Sequence, residues 1–277
     1  MKKLLTVLLT GLILTGCSSN SSNNDEKVAS NKLEEILANG KIIVATSPDY
    51  APLEFYNDSN EIIGSDIELA NYIAEQLGVE LELLDVDFTG TLTAVDTNKA
   101  DLAISGFGWK ADRADNYELS IAYNDVAESE SGCNTLVIPA DMVDTYNSFS
   151  DFEGKKIGGQ ANSIQEALIA SQTNAESVPF ATFGDGYLML MSKKIDAIAV
   201  SCSVAKGQVS ANEGIAVFSE NFINEDITGN VVVAKKGESE LIAKVNEYLE
   251  VVNSDGLYVQ WDLDAKEQAE EMGISFE

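Results

Sequence analysis

Short β-branched runs alternate along this chain with stretches whose apolar residues recur every three or four positions. Lys41–Thr46 (KIIVAT) is one such run and predicts a buried strand. A turn with two prolines follows over 47–52. Between 62 and 78, Ile67, Leu69, Ala70, Ile73 and Ala74 keep helical spacing, and Gly78 supplies the stop. Strands are predicted over 79–85 and 100–105, with a short helix over 92–98 between them. The pattern then restarts. Strands are predicted over 135–139, from 156, over 175–180 and over 197–201. Helices over 163–172 and 187–192 separate the later strands, and 150–154 reads as a helix or turn. A last strand near 229–234 precedes an amphipathic helix over 241–252, with Ile242, Val245, Leu249 and Val252 on one side. The order β-α-β-α-β thus occurs twice. It predicts an α/β fold of two similarly built lobes, each binding at the carboxyl ends of its strands, with a cleft between them. The repetition is one of pattern; no stretch of residues repeats.

The first residues follow another pattern. Lys2 and Lys3 precede an apolar run, Leu4–Ile13, that is too short to span a bilayer. The run ends in Leu14-Thr15-Gly16-Cys17, the order of leucine, small residues and cysteine of a bacterial lipobox. Residues 1–16 are expected to be a lipoprotein signal peptide, and Cys17 the lipid-bearing first residue of the mature chain, acylated with palmitate. Residues 17–31 include SSNSSNN, with nothing apolar to bury, and read as anchor and flexible tether. No later stretch offers about 20 apolar residues in a row. The expected location is therefore the extracytoplasmic face of the cell membrane, held by the lipid anchor alone.

Charge and cysteine usage remove several functions. The chain has 46 Asp and Glu against 17 Lys and Arg, a net charge of −29. Nucleic acids and anionic lipids need basic patches, so neither is an expected partner. No acidic run has the spacing of a Ca²⁺ loop. Histidine is absent, which removes Ser-His, Cys-His and His-metal chemistry; no metal and no cofactor is expected. Cys133 and Cys202 remain beside Cys17, and two cysteines alone cannot build a zinc site. In an exported chain they either form a disulfide or stay as buried thiols; their spacing decides neither.

Four stretches, in order, resemble the polar-amino-acid family of extracellular solute-binding proteins. Val44–Phe55 with Gly64–Ala70 is similar to the family's opening strand, tyrosine-proline turn and first helix. Asp101–Tyr123 combines a strand, a Gly/Ser loop, Arg113 and Leu119-Ser120 ahead of Tyr123. Phe152–Glu166 runs through Gly154-Lys155-Lys156-Ile157-Gly158 to Asn162-Ser163. In Asn246–Trp261, Asn253-Ser254-Asp255-Gly256 looks like the turn after the family's terminal helix. The resemblance implies a two-lobed periplasmic-binding-protein-like fold, each lobe a mostly parallel sheet flanked by helices, joined by two hinge strands near 125–130 and 225–229. Lobe 1 would hold 32–126 plus 228–277, and lobe 2 would hold 127–227. It further implies the substrate-binding subunit of an ABC importer. Such a subunit is a monomer that captures an amino acid or amino-acid-like molecule and presents it to a membrane permease.

Site residues follow by position. Arg113 matches the arginine that grips the ligand carboxylate, for which a guanidinium fork is suited. Gly106 and Gly108 match loop positions that offer main-chain groups. Ser163 matches a Ser/Thr opening a helix whose amino end favours anions. Tyr50 matches the aromatic wall, and Phe88 and Phe107 fall at further contacts, with Trp109 in the same loop. Asn162 replaces the family's usual glycine. Ser47 and Ser201 stand where members often carry Asp, for a cationic side chain and for the α-ammonium respectively. Either Glu54 or Asp185 then substitutes for the acid missing at Ser201, or the ligand lacks a free amine. The two lost acids argue against a cationic ligand and for a neutral, apolar or aromatic one. Two rival functions share the fold: a lyase like the cyclohexadienyl dehydratases, with a cleft carboxyl as general acid, and a surface receptor or adhesin module.

Overall fold

The computed structural model describes residues 31–124, 132–223 and 229–276. The lipobox, the tether and nearly all of both expected hinge segments lie outside those residues. The order is α1 (Lys32–Asn39), β1 (Lys41–Thr46), β2 (Asp49–Tyr50), β3 (Glu54–Tyr56), β4 (Ile62–Ile63), α2 (Ser65–Leu77), β5 (Glu80–Asp85), α3 (Phe88–Asp96), β6 (Leu102–Ala103), α4 (Ala111–Asn116) and β7 (Tyr117–Leu119). It continues with β8 (Asn134–Pro139), β9 (Lys156–Gln160), α5 (Ile164–Gln172), β10 (Glu176–Phe180), α6 (Phe183–Met191), β11 (Ala197–Ser201), α7 (Cys202–Ala211) and β12 (Ile215–Phe222). The chain then closes with β13 (Val233–Lys235), α8 (Ser239–Asp255) and α9 (Leu257–Glu271).

Two sheets carry the fold, with strand orders β5-β1-β6-β13-β7 and β10-β9-β11-β8-β12. In the first, β13 runs against its neighbours; in the second, β8 does; the other strands of each sheet share one direction. This is the mostly parallel, two-lobed α/β architecture expected from the pattern. Alternation along each strand explains why the runs read as continuously apolar. In β1, Ile42 and Val44 enter one core with Leu69, Ile73 and Leu249, while Ala45 enters another with Phe88 and Phe107. In β8, Leu136 and Ile138 pack with Phe152, while Val137 faces Leu190 and Val204. A strand covered on both faces has no polar side to show.

Helix ends follow local chemistry. Gly78 stops α2 at φ 71°, and Gly256 stops α8 at φ 66°. At Gly64 (φ 131°) any Cβ would lie 2.1 Å from the Leu53 carbonyl oxygen, so only glycine lets the chain enter α2 there. The helix expected over 92–98 is α3, which starts four residues earlier behind the Asp87 cap. The strand near 229–234 is shorter and later, as β13. After Gly256 the chain does not trail off but forms α9, which packs on α2 and buries mainly Tyr258, Ala265 and Ala269.

Two connections tie distant parts. Cys133 and Cys202 form a disulfide with Cα atoms 5.3 Å apart, which resolves the choice between bond and thiols. Beyond α9 the tail reaches the other lobe: the Ser275 N–H donates to Ser210 Oγ at 2.8 Å, and Phe276 packs against Gly207 of α7. Among the described residues no helix is long and apolar enough to cross a membrane.

Candidate functional site

The carboxyl ends of β1, β6, β9 and β11 converge on a cleft of about 670 Å³, solvent at its mouth included. Tyr50, Glu54, Phe88, Gly106 and Arg113 line one side. Asn134, Gln160, Ser163, Gln165 and Ser201 line the other. Both sides thus bring polar groups to one shared space between the lobes.

Arg113 dominates the electrostatics. It lies on α4 and is only 3% exposed. Its Nη1 donates to the Gly108 carbonyl, and its Nη2 donates across the cleft to the Asn162 carbonyl at 2.9 Å. The guanidinium carbon stacks 4.9 Å from the centre of the Phe107 ring, which itself packs on Phe88. Its Nε has no hydrogen-bond partner among the described residues. Burial lowers the guanidinium pKa to about 10, and only Asp112 and Tyr117 pull it back up. Arg113 therefore stays charged at neutral pH, buried against neutral carbonyls with no bonded carboxylate among the described residues. Such a charge has a large desolvation cost, and an anion in the cleft would offset it.

The acids sit elsewhere. Glu54 is fully buried; its Oε1 accepts from Ser105 Oγ at 2.9 Å, and Ser105 Oγ accepts the Ser47 N–H at 3.1 Å. Asp66 lies beside it and accepts from Tyr258 OH (2.6 Å), Tyr123 OH (2.9 Å) and the Gly106 N–H (2.7 Å). Burial raises both carboxyls, Glu54 well above 4.5, because Asp66 has more donors to hold its charge. Gly106 makes its bond at φ 60°, where a Cβ would also press on Leu53. Asp49 bridges the lobes: it accepts the Phe183 N–H at the start of α6 (2.8 Å) and Ser47 Oγ (3.0 Å), and burial raises its pKa.

A model of the bacterial extracellular solute-binding proteins, family 3, matches residues 42–262, which is most of the chain and both sheets. The chain belongs to this family. The arginine-binding extracellular protein ArtP of Bacillus subtilis is 27% identical over 92% of this chain and 94% of its own length. An amino acid ABC transporter substrate-binding protein of Streptococcus pneumoniae, solved bound to L-arginine, superposes with a TM-score of 0.76. It is 34% identical over 85% of this chain and 98% of that chain. An ancestral amino-acid-binding protein, a precursor of cyclohexadienyl dehydratase, superposes with a TM-score of 0.71 at 25% identity, covering 83% of this chain and 96% of that one.

Of the positions matched to the solute-binding family, Arg113, Tyr50, Gly106, Gly108, Ser163, Phe88 and Ser201 line the cleft. Three others are placed behind it. Phe107 is wholly buried as the ring beneath Arg113. Ser47 is buried and spends its hydrogen bonds on Ser105 and Asp49. Asn162 offers its carbonyl to Arg113 and its amide nitrogen to Thr89 Oγ1 (3.1 Å), with φ 66°, a left-handed backbone that asparagine tolerates. The Ser163 N–H, expected to face an anion, instead donates to the Gln160 carbonyl at 3.1 Å, and its Oγ caps α5. Ser201 caps α7, and its N–H and Oγ hold the Tyr50 hydroxyl at 3.1 and 3.3 Å. Asp185 lies in the capping box of α6, exposed and away from the lining, whereas Glu54 reaches it. Sequence reasoning missed Asp49, Asn134, Gln160 and Gln165, lining residues with no motif of their own. Asp49 alone had a signal, as the acid next to Tyr50 in the proline turn.

Proposed function

We propose that this protein is the lipid-anchored, extracytoplasmic binding subunit of an ABC importer and that it captures an amino acid in the cleft, with Arg113 on the ligand's carboxylate. One observation carries the reading: a buried guanidinium between the lobes with no carboxylate bonded to it among the described residues. A free α-carboxylate is an anion that the guanidinium fork can pair with bidentately. Relatives named for arginine binding, one solved with L-arginine, support an amino acid as ligand. The lining supports a polar ligand rather than the apolar one expected from the lost acids, since Asp49 and Glu54 both face the cleft.

The lobes are taken as 32–126 plus 228–277 and 127–227, closing about their two connections. The ligand favours closure by touching both lobes at once, and the closed monomer is what a permease recognises. Acylation at Cys17 keeps the protein at the membrane; Cys17→Ala should release it into the medium, as fractionation would show.

Calorimetric titration of the standard L-amino acids tests the site. Arg113→Ala is expected to weaken the strongest binder by about 100-fold or more. Equal affinity in that variant rules out the assignment. Glu54, whose carboxyl burial pushes well above the usual range, is also the kind of group a lyase would use as general acid. The binding reading requires the titrated amino acid to be recovered unchanged after incubation.

A further inference from the structure

The segment beyond α9 is held by both lobes at once, and ligand recognition makes no use of it. Gly273 turns the chain at φ 87°, and the Ile274 N–H returns to the Ala269 carbonyl at 3.0 Å, so the segment is rooted on the end of α9. Phe276 packs there with Ala51, Phe55, Ala265 and Ala269, a small core of the first lobe that Ile274 flanks. The same ring lies against α7 of the second lobe. A Cβ on Gly207 would sit 2.7 Å from Phe276 Cε1 and 3.2 Å from Ile274 Cγ2. One turn further along α7, Ser210 Oγ donates to the Gly207 carbonyl at 2.7 Å and accepts the Ser275 N–H at 2.8 Å.

Glycine is a poor helix former, and Gly207 lies in the middle of α7. Its own backbone does not call for glycine, since its φ is not left-handed. The close approach of Phe276 does: without a Cβ, α7 has a notch that the ring fills. The opening turn of this helix belongs to the cleft. Its cap, Ser201, lines the cleft and holds Tyr50, and Cys202 ties it to β8 through the disulfide. The notch therefore moves with the cleft wall, while the ring moves with the first lobe.

We propose that residues 274–276 are a latch: Phe276 seats in the notch at Gly207, holds the lobes together, and so sets ligand affinity without touching the ligand. This rests on the reading of the cleft as a site that its two lobes close. Any contact made only with the lobes together favours the closed form and tightens binding. Phe276 is 8% exposed, and parting the lobes would return apolar surface of ring and notch to water. Phe276 and Gly207 are positioning residues that act through the lobes.

The whole chain, purified in detergent, is first screened by thermal shift against the standard L-amino acids, L-arginine first, and the strongest binder is titrated calorimetrically. Phe276→Ala should weaken binding by about tenfold. Gly207→Ala should do the same, although alanine is the better helix former; a merely structural role for this glycine would leave affinity unchanged. The double variant should bind about as well as either single one, because both remove the same contact. Solution scattering of the empty Phe276→Ala protein should show a larger radius of gyration than the unaltered chain. Wild-type affinity and scattering in Phe276→Ala, or losses that add in the double variant, overturn the latch and leave the Arg113 site standing. If no amino acid binds, the site reading fails, and the scattering of the empty proteins decides the latch by itself.

Discussion

At the scale of single residues, the chemistry of the cleft is set by what lacks a partner. Arg113 was legible in the sequence through its place after the Gly/Ser loop, but its burial was not. An arginine flanked by Asp112 and Asp115 reads as a surface charge until α4 is seen turning it inward onto Phe107. That burial makes two outcomes of Arg113→Ala separable. Two carbonyls lose a donor, yet a costly buried charge is also removed, so thermal melting of the empty protein should move little while affinity collapses. Glu54 gives a pH prediction with a definite sign. Its folded pKa lies above the ordinary 4.5, so the folded state keeps a proton that the unfolded chain loses. Stability should fall as pH rises through 4.5 and level off above the folded value, and denaturant titrations of Glu54→Gln should show a smaller fall. The polar residues of the second lobe were illegible for a different reason. Asn134, Gln160 and Gln165 mean nothing alone; they matter because three strand and helix ends place them side by side, with Gln165 Nε2 donating to Asn134 Oδ1 at 2.6 Å.

At the scale of elements, the buried strands and α2, α5 and α8 were readable because each has a strong apolar rhythm. Those that were not readable bury little or bury small residues. In α9, Ala265 and Ala269 do the packing, and alanines do not mark a stripe as leucines do. Its run of Gln, Lys, Glu and Ala was a propensity signal passed over because Asp255-Gly256 read as an end. In β12 a register shift between Val217 and Asn221 breaks the alternation that identifies a strand. The disulfide acts at this scale. It joins the start of β8 to the start of α7 across a separation of 69 residues, directly behind Asn134 and Ser201. Closing a loop of that length stabilises by about 4 kcal/mol on the chain-entropy account. A double Cys133→Ser, Cys202→Ser variant should show that loss in denaturant melts, together with weaker ligand binding, since Asn134 and Ser201 lose their brace.

At the scale of the whole molecule, a short set of contacts joins the lobes over the cleft. Arg113 meets the Asn162 carbonyl, Tyr50 meets Ser201, Asp49 meets the start of α6, and the tail meets α7. None was visible in the sequence, because each pairs residues from separately folded sheets. Tyr50→Phe removes the hydroxyl that Ser201 holds, a loss of about 1 kcal/mol from the closed form. Ligand affinity should drop several-fold, and solution scattering should show a larger radius of gyration, with the lobes themselves unaltered. The guanidinium in the cleft also has a setting wider than its own pocket. It is the one cation among the described lining residues of a chain whose net charge is −29. At long range such a molecule repels any solute carrying only negative charge, and it is indifferent or attractive to a zwitterion or a dipolar cation. Discrimination against dicarboxylates would thus begin about a nanometre out at physiological ionic strength, in the approach rate, and would fade as added salt shortens the reach of that field.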